Sequence, residues 1–174
     1  MFWRGVALSI AAIVLSACVT ERSGSDYAGM LQKLGPPRAG QARIVVLRER
    51  GYAGIVDQGW DIQLDNGPLT DLKTGTYVYA DRSAGQHQLS ATASLFPGVS
   101  RRDVSMQPGR TYFFLARPSQ RAKVLNGMSA AGGVAGLLVG AAVTSGDDNP
   151  GPLDFFPLEE QAAHATIAEL RLAE

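Results

Sequence analysis

One cysteine and two histidines are all that the 174 residues hold of the side chains that most often bind transition metals or pair as nucleophile and base. A single Cys excludes an internal disulfide framework, and no Cys/His cluster is present that could complete a zinc site. Net charge is lacking too: 16 Lys and Arg stand against 16 Asp and Glu. No long-range field therefore steers the chain toward nucleic acid or an anionic surface, and nucleic acid is not an expected partner. Also missing are a Gly-x-Ser-x-Gly elbow, a phosphate loop and a His-Glu-x-x-His pair. The expectation is a non-enzymatic chain with no cofactor and no metal. At this length one domain is expected, since domains run to ~100 to 200 residues.

The N-terminus supplies the most specific signal. Residues 1–17 join a basic start (Arg4), an apolar run from Val6 to Leu15 and the small residues Ser16 and Ala17. That is the grammar of a secretory signal. The run is well short of the ~20 residues a transmembrane helix needs, so cleavage is expected rather than a permanent span. Leu15-Ser16-Ala17-Cys18 resembles the lipobox of bacterial lipoproteins. The resemblance implies a diacylglycerol thioether on Cys18, with Leu15, Ser16 and Ala17 recognised by the lipoprotein signal peptidase. Val19 follows the cysteine instead of the Asp that favours inner-membrane retention, so the outer membrane, facing the periplasm, is the implied destination. An ordinary secreted protein is the bland alternative. It would leave a free thiol in an oxidising compartment.

Residues 18–41 are rich in Ser, Gly, Pro and charge and read as a lipidated tether. Asp26 to Leu34 could wind into one or two helical turns before Gly35 and Pro36 stop them. Residues 42–174 read as the folded domain. Ala42 to Arg48 is apolar and β-branched, a central strand. Trp60, Ile62 and Leu64 alternate with Asp61, Gln63 and Asp65, and Asp65-Asn66-Gly67-Pro68 supplies turn chemistry. Thr76 to Ala80 follows as a strand. Gln86 to Leu95 alternates most cleanly, with His87, Leu89 and Ala91 on the apolar face. Val99 to Met106 is weaker. Thr111 to Ala116 is apolar on both faces and belongs in mid-sheet. Short strands between Gly/Pro turns predict a mainly β chain, a small antiparallel β-sandwich, with a small barrel as the other architecture of this pattern.

Several of these pieces occur in a familiar order: the strand from Ala42 to Arg48, the turn at Asp65 to Gly67, Leu72 to Tyr79, Ala84-Gly85-Gln86-His87, and Gln107-Pro108-Gly109-Arg110-Thr111-Tyr112-Phe113. Together they resemble an uncharacterised domain family of bacterial lipoproteins over about Ala42 to Leu170. The resemblance implies a transthyretin-like or immunoglobulin-like sandwich and carries no catalytic residues. Ala84 stands where the family has Pro, and a long Gly-rich insertion is added.

That insertion, residues 124–146, contains no charge. Gly132, Gly136 and Gly140 fall four apart, and in a helix they share nearly one face, where another backbone can come close. A straight helix of this length would extend ~35 Å, enough to cross a hydrocarbon layer ~30 Å thick. Against this, Gly costs a helix ~1 kcal/mol relative to Ala. Membrane insertion or self-association, packing on the sandwich, and a plain loop all remain open. Beyond it, Leu153 to Phe156 could add a strand, and Leu158 to Leu172 reads as a C-terminal helix with Glu159 and Glu160 in its first turn.

His87, on an apolar strand face, is expected to be structural, and His164 to pack or face solvent. Asp57, Asp61 and Asp65 recur every four residues but lack the ligand order of a calcium loop. Arg101-Arg102 and Arg117 to Lys123 read as solvated basic clusters. The expected function is therefore a lipid-anchored interaction module of the envelope. Its expected partners are the membrane and either an envelope protein or a second copy. The alternative is a self-assembling membrane-associated structural protein using Gly132, Gly136 and Gly140, and an envelope hydrolase is a third reading.

Overall fold

A computed structural model describes residues 25–51, 59–94, 96–146 and 148–173. The apolar run after Gln41 forms β1 (Gln41–Arg48), in which every residue from Ala42 to Leu47 is buried. A strand with no wet face must be covered on both sides. The covering begins in its own sheet, whose strand order is β8 (Leu153–Leu158), β7 (Thr111–Pro118), β1, β4 (Thr76–Ser83), β9 (Arg171–Leu172). The second sheet runs β3 (Gly67–Leu72), β2 (Trp60–Leu64), β5 (Gly85–Thr92), β6 (Ser100–Met106). The chain is thus mainly β, and its two sheets pack as a sandwich. The expected antiparallel pairing prevails except at β1–β7 and β4–β9, which are parallel.

Alternation along β7 shows how the layers are built. Phe114 and Ala116 point into the core between the sheets, with Ile44, Val46, Ile62, Leu64 and Leu89. Phe113 and Leu115 point the other way, into a second core with Val45, Leu47 and Tyr77. That second core is closed by two helices, α1 (Tyr27–Leu34) and α3 (Glu160–Ile167), which contribute Tyr27, Met30, Ala163 and Ile167. At ~1.5 to 3 kcal/mol for each large aliphatic or aromatic side chain removed from water, this second core is a substantial part of the fold.

The tight turn expected at Asp65-Asn66 joins β2 and β3 by two residues. Its φ angles, 52° and 63°, are both positive. This is the turn whose twist suits a hairpin, and Asp and Asn are among the few side chains that tolerate it.

Two expectations require correction. Residues 18–41 are not tether throughout, because α1 buries Tyr27 and Met30 against the sheet. Asp26 caps this helix, accepting a hydrogen bond from Gly29 N at 2.7 Å, and Gly35 (φ 67°) ends it. The C-terminal helix is shorter than Leu158 to Leu172. It stops at Ile167, and Arg171 and Leu172 pair with the open edge of β4, where Arg171 N donates to Gly75 O and Ala173 N to Tyr77 O. Backbone groups left free on a sheet edge outcompete one more helical turn. The glycine-rich segment, whose placement the sequence left open, takes a definite form. It is helical, as α2 (Gln120–Val143), but Gly133 (φ 57°, ψ −138°) breaks it into two arms.

Sheet A, the sheet containing β1, has an upper end where β1 and β7 finish (Arg48, Pro118) and β4, β8 and β9 begin (Thr76, Leu153, Arg171). Its lower end carries Gln41, Ser83, Thr111 and Leu158. The chain enters at the upper end, where Ser25 O accepts hydrogen bonds from Leu172 N (2.8 Å) and the Tyr77 hydroxyl (3.0 Å). The α2 hairpin leaves from the same end, directly after Pro118.

Candidate functional site

Leu15, Ser16, Ala17 and Cys18, the residues of the lipobox-like sequence, lie outside the described residues, as does Asp57. The glycine segment, His164 and His87 fall in three separate places.

The first is the α2 hairpin. Its base is fixed by buried polar contacts. Ser119 caps the first arm, accepting from Ala122 N (3.0 Å) while its hydroxyl donates to Gly151 O (2.7 Å). Arg121 Nη1 donates to Pro150 O at 3.0 Å. Ser100, on the second sheet, both donates to Leu153 O and accepts from Leu153 N. Leu125 is fully buried beneath the arms. Above this base the second arm folds back on the first. A Cβ on Gly136 would fall 2.0 Å from Met128 O, and one on Gly140 would meet Leu125 Cδ2 at 2.9 Å and Met128 Sδ at 3.2 Å. These two glycines therefore serve a contact inside the chain. Gly132 has open space around it.

The opposite face of the second arm presents Val134, Leu138, Val139 and Val143, which are 76, 66, 53 and 72 % exposed. The arm turns Gly136 and Gly140 toward the contact and leaves these four aliphatic side chains in the open, the inverse of a water-facing helix. Among the described residues α2 is the one helix whose length and composition suffice to cross a membrane. The break at Gly133 makes it a hairpin rather than a single rod.

The second place is a cleft of about 350 Å³ between α1, α3 and the outer face of sheet A, toward the lower end. Tyr27, Leu31, Pro36, Phe113, Glu160 and His164 line it. The Tyr27 ring stands edge-on to Phe113, with centroids 6.0 Å apart, and His164 lies 5.5 Å from both rings. Burial raises the pKa of the Tyr27 hydroxyl. Arg43, 1 % exposed, forms the floor. Its guanidinium is fully engaged, with Nε and Nη2 on the Asp81 carboxylate (2.6 and 2.8 Å) and Nη1 on Gly35 O (2.9 Å). It ties β1 to β4 and to the end of α1, and is not offered to a ligand. This cleft has no local signature in the chain, because it depends on α1 docking through residues whose surroundings read as tether.

The third place is His87. Its Nδ1 lies 2.6 Å from Asp65 Oδ2 and its Nε2 lies 2.8 Å from Ser83 O. With an acceptor at each nitrogen the doubly protonated ring is favoured, and the Asp65 hydrogen bond is the largest influence raising its pKa. Asp65 also accepts from Gln88 N at 2.9 Å. Both ring nitrogens are thereby engaged. The arrangement ties the β2–β3 turn to β5 and has the form of a structural lock. Asp61, by contrast, is exposed on β2. Among the described residues no three His, Cys, Asp or Glu side chains are grouped to hold a metal ion.

No protein-family model matches the chain, and no curated protein matches it in sequence.

Proposed function

We propose that the chain is a lipid-anchored protein of the bacterial envelope, held in the outer membrane through Cys18, whose sandwich is a non-enzymatic interaction module facing the periplasm. The observation that carries this reading is the sequence Leu15-Ser16-Ala17-Cys18 at the end of a short apolar run. Two or three acyl chains, each burying methylenes at ~0.8 kcal/mol, hold a protein on a bilayer firmly. The fold is compatible with such an anchor. Ser25 enters at the upper end, and the cleft beside Tyr27, Phe113 and His164 lies toward the other, away from the anchored end. A concave site with aromatic walls and a few polar groups at its mouth is the usual form of a binding surface. Self-assembly through the glycine face has less to support it, because Gly136 and Gly140 already pack against the first arm.

The test is affinity capture of the lipidated protein from cross-linked envelopes. A heterologous partner that is recovered with the native chain and lost with Glu160→Arg, at the cleft mouth, supports the module. A ladder of homotypic products that survives Glu160→Arg contradicts it and favours self-assembly.

A further inference from the structure

The stripe formed by Val134, Leu138, Val139 and Val143 is the largest concentration of exposed aliphatic side chains among the described residues. Other than this stripe, the large hydrophobic residues that are exposed are Leu34 and Phe156, which stand apart on other elements. We infer that this stripe is a second membrane contact, lying in the acyl boundary of the same leaflet that receives the lipid on Cys18. The inference rests on the lipoprotein reading above and adds a site to it.

Position makes the first argument. The chain from Cys18 to Ser25 spans seven residue steps, which at full extension reach no more than ~25 Å. Ser25 is fixed at the upper end of sheet A by its bonds to Leu172 and Tyr77. An anchored Cys18 therefore keeps that end close to the bilayer. The hairpin rises from the same end, with β7 and Ser25 separated by the widths of β1, β4 and β9, strands that lie ~4.8 Å apart.

Composition makes the second. The segment has no charge from Val124 to Gly146, and its outer stripe is entirely Val and Leu. Protein interfaces draw their affinity from aromatic, Met and Arg anchors with a polar rim. An aliphatic stripe without hydrogen-bonding anchors has little to offer a second protein, but it is well suited to lipid.

Geometry makes the third. The second arm, Val134 to Val143, is ~15 Å long at ~1.5 Å per residue, too short to cross a ~30 Å hydrocarbon layer. Lying in the interface, it can sink its stripe ~5 to 10 Å while the backbone groups freed at the Gly133 break stay near water. The first arm, whose exposed side includes Asn126, then lies on the water side of the second.

The probe is an environment-sensitive nitrobenzoxadiazole label on Leu138→Cys of the full lipidated chain, in vesicles of phosphatidylethanolamine and phosphatidylglycerol. Leu138 is exposed, so the change leaves the fold intact, and acylation of Cys18 leaves the introduced thiol the one available for labelling. The expected result is a blue-shifted, several-fold brighter emission that is quenched by lipids carrying nitroxide on the acyl chain. The same label on Arg101→Cys, on the second sheet, should stay water-like. Water-like emission at position 138 overturns the inference. So does a blue shift that acyl-chain nitroxide does not quench and that accompanies cross-linking between copies, because a second chain then covers the stripe. Mass spectrometry of the same preparation reports the acyl chains on Cys18 separately. If they are absent, the label on Leu138→Cys in a Cys18→Ser chain reads the hairpin alone, and the two claims fail independently.

Discussion

Gly136 lies against the Met128 carbonyl across the α2 hairpin, so close that a Cβ there would sit 2.0 Å from the oxygen. Gly136→Leu should therefore force the arms apart. The expected cost is at least the ~1 to 3 kcal/mol of an overpacked contact, since the neighbour is backbone and cannot swing away. Faster protease cleavage within residues 124–146 measures it, with Leu138→Ile on the exposed stripe as a neutral control. Equal cleavage of the two variants would show that the close approach is incidental.

Gly133 sets the turn between the arms. Its φ of 57° with ψ −138° is open to glycine and strained for any side chain. Gly133→Val should loosen the hairpin while leaving the sandwich intact, because nothing but the break requires that conformation. Hydrogen exchange should accelerate in α2 and stay unchanged in β1 and β7.

Arg43 is buried and shares its charge with Asp81, whose side chain is 25 % exposed. The Asp81 hydrogen bond is the main influence raising the Arg43 pKa. Removing one partner of such a pair strands the other. Asp81→Ala should cost roughly 3 kcal/mol, the lower end of the range for a broken buried pair, since water reaches the carboxylate. Chemical denaturation checks this, and a loss well below 1 kcal/mol would mean that the guanidinium finds water instead.

The His87–Asp65 lock should make stability depend on pH in a defined sense. The folded-state pKa of His87 is raised by Asp65, so its contribution is complete below the ordinary histidine value and lost as pH climbs through the raised value. Asp65 is lowered overall: burial, which opposes ionisation, is its largest single influence, and the bonds from His87 and Gln88 outweigh it. Its contribution is present above the ordinary carboxylate range and lost as pH falls through the lowered value. The destabilisation by Asp65→Asn, read from urea midpoints, should be greatest between those limits and shrink above the raised histidine pKa. A penalty that is constant across the histidine range would contradict the pairing.

Much of the sandwich was legible because its strands follow period-two rules. Trp60, Ile62 and Leu64 are buried as their alternation required, and Thr111 to Ala116 lies inside a sheet as its two apolar faces required. The turn at Asp65-Asn66 was legible for a local reason, since few other residue pairs take positive φ twice. What was not legible depended on distant partners. Tyr27, Met30, Leu31 and Leu34 do fall at i, i+3, i+4 and i+7, but a run of eight residues set among Ser, Gly and Pro does not say where it docks, and the outward face of β7, with Phe113 and Leu115, accounts for the burial of Tyr27 and Met30. Arg43 sits in an apolar run, and Asp81, 38 positions later, is what makes it a buried ion pair. Gly136 and Gly140 make a close contact between the arms and Gly132 does not, and no sequence rule separates a partner in another chain from one eight residues back. Gly133 decides that, one residue beyond the spaced set's first member.

The central claim is the lipid on Cys18, and palmitate labelling of the native chain beside Cys18→Ser tests it most directly. The native protein should incorporate label, be processed before Cys18 and stay with outer membranes through a high-salt wash. Cys18→Ser should take up no label and accumulate unprocessed. Normal processing and salt-resistant outer-membrane retention of Cys18→Ser would contradict the account.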